Sequence, residues 1–517
     1  MIAIVKSTVL QGLDGQIVEV EVDVSGGLPS FDIVGLPDAS VREAKDRVRA
    51  AIKNAGFEFP VKRITVNLAP ADLKKEGPLY DLPIAAGILA ATEQINGGRS
   101  REFVMMGELS LNGVLKGVAG VLPNTLVALN ADCGKVIVPL ENAPEAALAE
   151  GVQVYPFRDL VELAGFLNGE TDKDPYTVNV SAMMRCGDGE YPDFADVRGQ
   201  HAARRALEIA ASGGHNVIMI GSPGSGKTML ARRLPGIMPD LAFQEAIDVS
   251  KIYSLAGLLP PGQPLLTRRP FRSPHHTASA ASIIGGGRVP RPGEVSLAHH
   301  GILFLDEITE FHKDALEALR QPLEDGVVTV SRVHASYTYP AGLTLVAACN
   351  PCPCGFHGDP SHGCSCTPHQ VQRYISRLSG PLLDRIDIQI EVPRLPFEEI
   401  SSTGQAESSR SIKDRVDSAR ELQRARMNSQ NDSLQHRALP ACNARMGPQE
   451  VRRYCKLSAS ARTLLREAFK RLSMSARAYD RILKVAMTIA DLDCAGIIQD
   501  IHVAEAIQYR SLDRLTV

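Results

Sequence analysis

A chain of 517 residues is too long for one hydrophobic core and predicts two to four domains. Its charged and apolar fractions are those of an ordinary globular protein, and a formal net charge of −3 excludes nucleic-acid binding driven by overall charge, so such contact must come from local patches. No apolar run reaches membrane-spanning length, the N-terminus lacks a charged-then-apolar signal pattern, and ten cysteines in so long a chain are no secreted disulfide framework; a cytoplasmic protein without a membrane partner is expected.

Residues 1–170 alternate strand-like runs (17–24, 63–67, 136–139) with amphipathic helical ones (40–55, 82–91, 144–150), which predicts an α/β or α+β domain without a nucleotide motif. The segment Glu76-Gly77-Pro78 through Ala91, followed by Gly107-Glu108-Leu109-Ser110-Leu111-Asn112-Gly113 and Gly120-Val121-Leu122, resembles the C-terminal domain of Lon-type proteases, which shares the fold of ribosomal protein S5 domain 2. That family uses a Ser nucleophile activated by a Lys. Here no Ser lies between Glu76 and Ala91 and Leu122 stands where the Lys should be, so the acyl-enzyme route is closed and the domain is expected to be protease-inactive, serving assembly or binding. Residues 171–195 belong to a polar, aperiodic stretch and read as a linker.

A second domain is expected over 196–395, opening with a helix from Asp196 to Leu207 and a short apolar run, Asn216-Val217-Ile218-Met219-Ile220. The stretch Gly221-Ser222-Pro223-Gly224-Ser225-Gly226-Lys227-Thr228 joins that strand to a helical run over 229–234. Strand, glycine loop, helix is the context of a phosphate loop. The glycines let consecutive N–H groups turn inward around phosphate oxygens, Lys227 reaches the β- and γ-phosphates, and the Thr228 hydroxyl ligates Mg²⁺. ATP and Mg²⁺ are therefore the expected cofactors.

Between 268 and 300 the Gly/Pro-rich stretch 285–293 carries Arg288 and Arg291 and cannot hold a regular helix; it is either an outward-reaching arm or a solvated connector. The adjacent histidines 275–276 and 299–300 point to different faces and make poor zinc ligands. Ile302-Leu303-Phe304-Leu305 ends in Asp306-Glu307, which reads as a buried parallel strand delivering Asp306 to the Mg²⁺ shell and Glu307 to the attacking water; the two acids alone also suit a helix N-terminal turn. A helix over 314–324 and extended runs over 326–332 and 335–340 predict a β-hairpin with Arg332 and His334 near its tip, and a strand over 343–349 ends at Asn350.

Cys352-x-Cys354 and Cys364-x-Cys366 set four thiols in two tight pairs on a Gly/Pro loop, enough for a closed structural Zn²⁺ site, although ligand pairs usually have two or more intervening residues. Free or redox-active thiols are the other reading, and His357 or His362 could substitute for one cysteine. Residues 376–387, which include Arg385, lead into a strand over 388–392. The span 396–450 reads as a polar helical linker whose basic stripe, Arg410, Lys413, Arg415, Arg420, Arg424 and Arg426, predicts a solvated helix. Helical periodicity returns over 451–517, with Ser475 as an N-cap and Arg477 in the first turn after it.

The Lon-like stretch, GSPGSGKT, SPHHTASAASIIGGG, SLAHHGILFLDE, ACNPCPCG and SARAYDRIL together, in this order, strongly resemble the YifB/ComM family of magnesium-chelatase-like AAA+ proteins of bacteria. The resemblance covers nearly the whole chain. It implies an α/β protein with an N-terminal Lon-like domain, a central AAA+ P-loop NTPase domain and a C-terminal helical lid, assembled as a hexameric ring ATPase with a helix-2 insert. It also implies roles for single residues: Asn350 as sensor 1, holding the lytic water or γ-phosphate, Arg385 as the arginine finger given to the neighbouring subunit's ATP, and Arg477 as sensor 2. Arg385 suits a surface salt bridge as well. For the ComM branch the resemblance implies a DNA branch-migration helicase acting in natural transformation, with Arg288, Arg291, Arg332 and His334 facing DNA in the pore. The alternative is a magnesium-chelatase motor that drives metal insertion into a porphyrin through protein partners.

Overall fold

The computed structural model describes residues 2–185, 191–287, 290–332, 335–359, 361–396, 399, 406–428, 442–471 and 474–510. Arg288 and His334 lie outside the described residues, and only the backbone of Arg332 is described. The chain divides into two compact units, Met1–Gly187 with Ala242–Thr267, and Asp188–Leu241 with Arg268–Val517.

In the first unit β1 (Ile2–Gln11) and β2 (Asp14–Ser25) form a long antiparallel pair. They are joined by β3 (Ser30–Val34), β4 (Arg63–Ala69), β5 (Val104–Met105), and, after the small pair β6 (Glu108–Leu109) and β7 (Leu115–Lys116), by β8 (Lys135–Pro139) and β9 (Gln153–Phe157). The seven-stranded sheet runs β3-β4-β2-β1-β5-β8-β9. Val18, Val20, Val22 and Val24 of β2 alternate onto the buried face, where the helix Asp81–Ala91 packs. That helix was expected to be amphipathic, yet all of its residues are buried; a helix apolar all round belongs in the middle of a core. Its Gly87 lets it sit directly on the sheet, since a Cβ there would come within 2.5 Å of Val22 Cγ2.

The helix Phe243–Ala256 belongs to this unit too, although 196–395 was expected to be continuous. Its Ser254 hydroxyl donates to the buried Glu145 carboxylate, and the Ser254 carbonyl accepts from the Gly120 amide at 3.0 Å. Glu145 also accepts from the amide of Leu122 at 2.9 Å and from Asn142 Nδ2 at 3.3 Å. The polarity that fastens the excursion is thus supplied by residues about a hundred positions away, with nothing local to announce it.

The second unit is built on β10 (Val217–Ile220), β11 (Phe271–Arg272), β14 (Ile302–Leu305), β17 (Thr344–Cys349) and β18 (Ile388–Glu391), all parallel in the order β11-β14-β17-β10-β18. β14 and β17 are buried at every residue, as a parallel strand covered on both faces requires. Two hairpins branch off, β12 (Gly285–Gly286) with β13 (Arg291–Pro292) and β15 (Val327–Arg332) with β16 (Ala335–Pro340). The helix before the phosphate loop begins only at His201, after Gln200 in left-handed backbone, and the helix expected over 314–324 is two short ones, Lys313–Ala318 and Arg320–Asp325.

The helix Ser409–Asn428 corrects the expectation of a solvated linker. Ile412, Val416 and Met427 are buried in the core of this unit, Ala419 is buried as well, and the basic stripe has structural partners. Arg420, itself buried, donates to the Ala211 carbonyl at 3.0 Å, and Gln423 donates to the Ser212 carbonyl at 3.1 Å. These carbonyls end the helix His201–Gly213 and have no partner within it, so the guanidinium and amide complete that helix end. Arg415 pairs with Glu208 and Glu407, and Arg426 with Asp491. Composition registers the charge of such side chains and misses their aliphatic stems, which cover apolar surface.

Candidate functional site

β10 lies between β17 and β18, so the segments that follow β10, β14 and β17 leave from the same carboxyl edge of the sheet, where open α/β sheets bind ligands. Directly after β10 the Gly221 amide donates to the Cys349 carbonyl at 3.2 Å. A Cβ at Gly221 would stand 2.2 Å from the Val392 carbonyl oxygen, so glycine is needed there for close strand approach. Gly224 (φ 78°) and Gly226 (φ 95°) take left-handed backbone, and the helix Lys227–Arg233 starts from that turn.

The buried Lys227 ammonium donates to the carbonyls of Gly221 at 2.7 Å and Ser222 at 3.0 Å and to Asn350 Oδ1 at 3.3 Å; burial lowers its pKa. Thr228 Oγ1 donates to Asp306 Oδ2 at 2.7 Å, and Asp306 Oδ1 accepts from the Glu307 amide at 3.0 Å. A hydroxyl and a carboxylate that close together offer oxygen ligands on one side of a hard cation such as Mg²⁺. Glu307 sits in left-handed backbone (φ 50°, ψ 47°), uncommon for a residue with a side chain, and its exposed carboxylate is 4.0 Å from His276 Nδ1. The two acids end a strand and precede the 3₁₀ turn Ile308–Glu310.

Three supports of this loop carry no sequence signal. Gln200 Nε2 donates to the carbonyls of Pro393 at 2.7 Å and Ser225 at 3.3 Å, holding the loop from one side. Ser361 and then the neighbouring Ser222 hydroxyl hold the Asp359 carboxyl well below the usual carboxylate range, and Gly355 lies so close to Pro223 that a Cβ on it would be 2.7 Å from the proline Cδ. His276, dismissed as a metal ligand from sequence, is the side chain that faces Glu307.

The four cysteines converge. Their sulfurs all lie within 4.8 Å of one another, with Cys352–Cys354 at 3.3 Å, Cys352–Cys364 at 3.7 Å and Cys354–Cys364 at 3.6 Å. Thiolates at about 2.3 Å from a tetrahedral Zn²⁺ stand about 3.8 Å apart, so the donor set fits that ion. The amides of Cys354 and Cys366 donate to Cys366 Sγ and Cys364 Sγ, each at 3.4 Å, and the Phe356 amide leads the contacts that bring the Cys354 thiol down to about 5. His362 stands aside, stacked on Phe356 with ring centroids 4.9 Å apart. His299 is buried in a structural role, its Nδ1 accepting from the Gly342 amide at 2.9 Å.

Arg385 and Arg477 are not brought to the phosphate loop of their own chain. Arg385 donates to the carbonyls of Arg320 at 3.1 Å and Pro381 at 2.7 Å and pairs with Glu324. Arg477, two residues after the N-cap Ser475, lines a cleft with Glu324, Asn216 and Asp387. Asn216 immediately precedes β10 and Asp387 immediately precedes β18, so this cleft lies at the amino ends of the strands, the opposite edge from Thr228 and Asn350. The two hairpins adjoin, the Tyr339 hydroxyl donating to the Pro290 carbonyl at 2.9 Å, and Arg291 is exposed.

Three family models match the chain: "Magnesium chelatase, subunit ChlI" over residues 193–400, "Subunit ChlI of Mg-chelatase" over 20–142 and "Magnesium chelatase, subunit ChlI C-terminal" over 406–510. The protein YifB of Escherichia coli (strain K12) is 44% identical over 519 residues, spanning 100% of this chain and 98% of its own. Competence protein ComM of Haemophilus influenzae is 44% identical over 523 residues, spanning 99% of this chain and 98% of its own. The magnesium-chelatase 67 kDa subunit of Chlorobaculum parvum is 27% identical over 164 residues, 31% of this chain and 23% of that subunit. Among the described residues no helix is long and apolar enough to cross a membrane. Full-length similarity of this order, joined to a phosphate loop whose Thr228 meets the strand-end Asp306 in a parallel sheet, means that the chain belongs to the YifB/ComM family of magnesium-chelatase-like AAA+ proteins.

Proposed function

We propose that this chain is the ATP-hydrolysing subunit of a homohexameric cytoplasmic ring that moves DNA, acting as a branch-migration helicase in recombination during natural transformation. Similarity to a competence protein over almost the full length supports the biological setting. In this reading Lys227 binds the β- and γ-phosphates, Thr228 and Asp306 hold Mg²⁺, Asn350 orients the attacking water and Glu307 takes its proton. The exposed Glu307 carboxylate suits that task, because it is free of the Thr228–Asp306 contact.

The observation that carries the ring reading is the split of the site between two edges of one sheet. Thr228, Asp306, Lys227 and Asn350 gather at the carboxyl edge, whereas Arg385 and Arg477 stand toward the amino edge around Glu324. Arginines so placed complete a nucleotide site only when a neighbouring copy presents its amino edge to it. The adjoining hairpins support a pore: Arg291, with Arg288 near it in sequence and Arg332 and His334 from the later hairpin stretch, would set cations along the DNA phosphates in each subunit and so overcome the acidic total. The first unit is read as a Lon-like, S5 domain 2-like domain without protease chemistry, its Leu122 buried at the position where the resemblance asks for a Lys. The cysteine cluster is read as a structural Zn²⁺ site.

A magnesium-chelatase motor is the second reading, favoured by the names of the matching family models. The chelatase subunit's match to only 31% of the chain weighs against it. Purified protein incubated with ATP, Mg²⁺ and a synthetic four-way DNA junction tests the choice. ATP-dependent conversion of the junction to duplex products is expected, and salt-insensitive ATP hydrolysis without DNA binding at any ionic strength would refute the DNA reading.

A further inference from the structure

We propose that the four-cysteine cluster is a Zn²⁺ site that sets the affinity of the phosphate loop for nucleotide, because the loop folded on those cysteines forms one wall of the phosphate loop. The inference rests on reading 221–228 as the ATP site. Among the described residues the span from 351 to 367 contains neither helix nor strand, so no backbone ladder holds it. Its shape depends on turns, on the amide-to-sulfur bonds at Cys364 and Cys366, and on whatever draws four sulfurs together.

Asn350, just before this span, and two residues within it lie against the phosphate-loop residues. Asn350 accepts from the Lys227 ammonium at 3.3 Å. Gly355, between the two cysteine pairs, takes a backbone conformation (φ 88°) that seats it against Pro223 in the phosphate loop. Asp359, farther along the same interval, is fixed by the amide and hydroxyl of Ser361 at 2.8 and 2.6 Å and has the Ser222 hydroxyl as a near neighbour. Ser222 and Pro223 lack the freedom of the loop's glycines, so contacts from outside help to define their path. Four thiolates can share a space of 4.8 Å only around a cation, and a structural zinc contributes its binding energy directly to the fold of such a loop. With Zn²⁺ bound, Gly355 and Asp359 are held on Pro223 and Ser222. Without it the sulfurs separate, both contacts are lost, and the phosphate loop must be ordered by the nucleotide itself.

The test uses the full chain, purified without chelator. Zinc is measured by mass spectrometry, and the affinity for a fluorescent ATP analogue is titrated in excess Mg²⁺ before zinc removal, after it, and after Zn²⁺ is added back. Equimolar zinc is expected, with affinity falling about tenfold on its removal, the scale of two lost hydrogen-bond-sized contacts, and returning on re-addition. Cys364→Ser should behave as the zinc-free protein does and resist rescue. Asp359→Ala should keep its zinc and still bind the analogue about threefold more weakly, which separates the wall from the metal and decides the matter even if Cys364→Ser does not fold. Unchanged affinity after zinc removal and in Asp359→Ala would overturn this inference and leave the ATP site standing. Protein well short of equimolar zinc would remove the metal site, and a zinc-loaded chain that binds no nucleotide would remove both the ATP reading and this inference.

Discussion

Replacing Glu307 by Gln isolates the chemical step from the binding step. The Glu307 carboxylate is 54% exposed, and the contact recorded for it is His276 at 4.0 Å, a surface pair worth about 0–1 kcal/mol at most. The amide that Asp306 accepts from belongs to the backbone and survives the substitution, as do the Thr228–Asp306 and Lys227–Asn350 contacts. Glutamine preserves shape and removes the base, so folding stability should move by less than about 1 kcal/mol and ATP affinity should hold. Turnover should fall by a factor of about 10²–10⁴, the usual contribution of a positioned general base, or roughly 3–5 kcal/mol in activation free energy. Single-turnover phosphate release measures the chemical step, and titration with a fluorescent ATP analogue measures binding on the same preparation. The contrast is Lys227→Ala, which removes the group proposed to contact ground-state phosphates and should lose affinity first. If Glu307→Gln hydrolyses ATP within about tenfold of the parent rate, or loses affinity as Lys227→Ala does, the assignment of Glu307 to the attacking water is wrong.

Gly221→Ala should lower stability by about 1–3 kcal/mol in a thermal melt, since its Cβ would press to 2.2 Å of the Val392 carbonyl and force β10 away from the chain after β18; an unchanged melting temperature would refute the close-packing role. Replacing Arg288, Arg291 and Arg332 by Ala should weaken binding to all DNA sequences alike and flatten the salt dependence by about 0.9 in log–log slope per lost phosphate contact, read by fluorescence anisotropy across a salt series; a sequence-selective loss would mean that the arms read bases. Arg385→Ala should abolish turnover in the ring, and mixing it with Lys227→Ala subunits should restore part of it, because some interfaces then pair an intact phosphate loop with an intact arginine; no recovery in confirmed mixed rings would assign Arg385 to its contacts with Glu324, Arg320 and Pro381 in its own chain.

The succession of strand, glycine loop and helix was legible in sequence because its constraints are local, with left-handed turns at Gly224 and Gly226; the helix, expected over 229–234, starts two residues earlier at Lys227. The same holds for the β15–β16 hairpin and for Ser475, whose hydroxyl caps the following helix at 3.2 Å. The four clustered cysteines were equally visible, being close in the chain and held near by the turns between them.

What the tertiary structure alone decided involves partners far apart in sequence. Glu145 claims the helix Phe243–Ala256 for the first unit through a serine 109 positions away, and Arg420 is buried because the end of a helix 209 positions earlier leaves a carbonyl for it. Neither partner is encoded near the residue whose environment it determines, so local composition misread both segments. The placing of Arg385 and Arg477 at the amino edge, and of Asp359 and Gly355 against the phosphate loop, has the same origin. A residue's type shows which bonds it can make, whereas the partner it meets depends on how strands order themselves in a sheet, and that order is settled by burying apolar faces drawn from the whole chain.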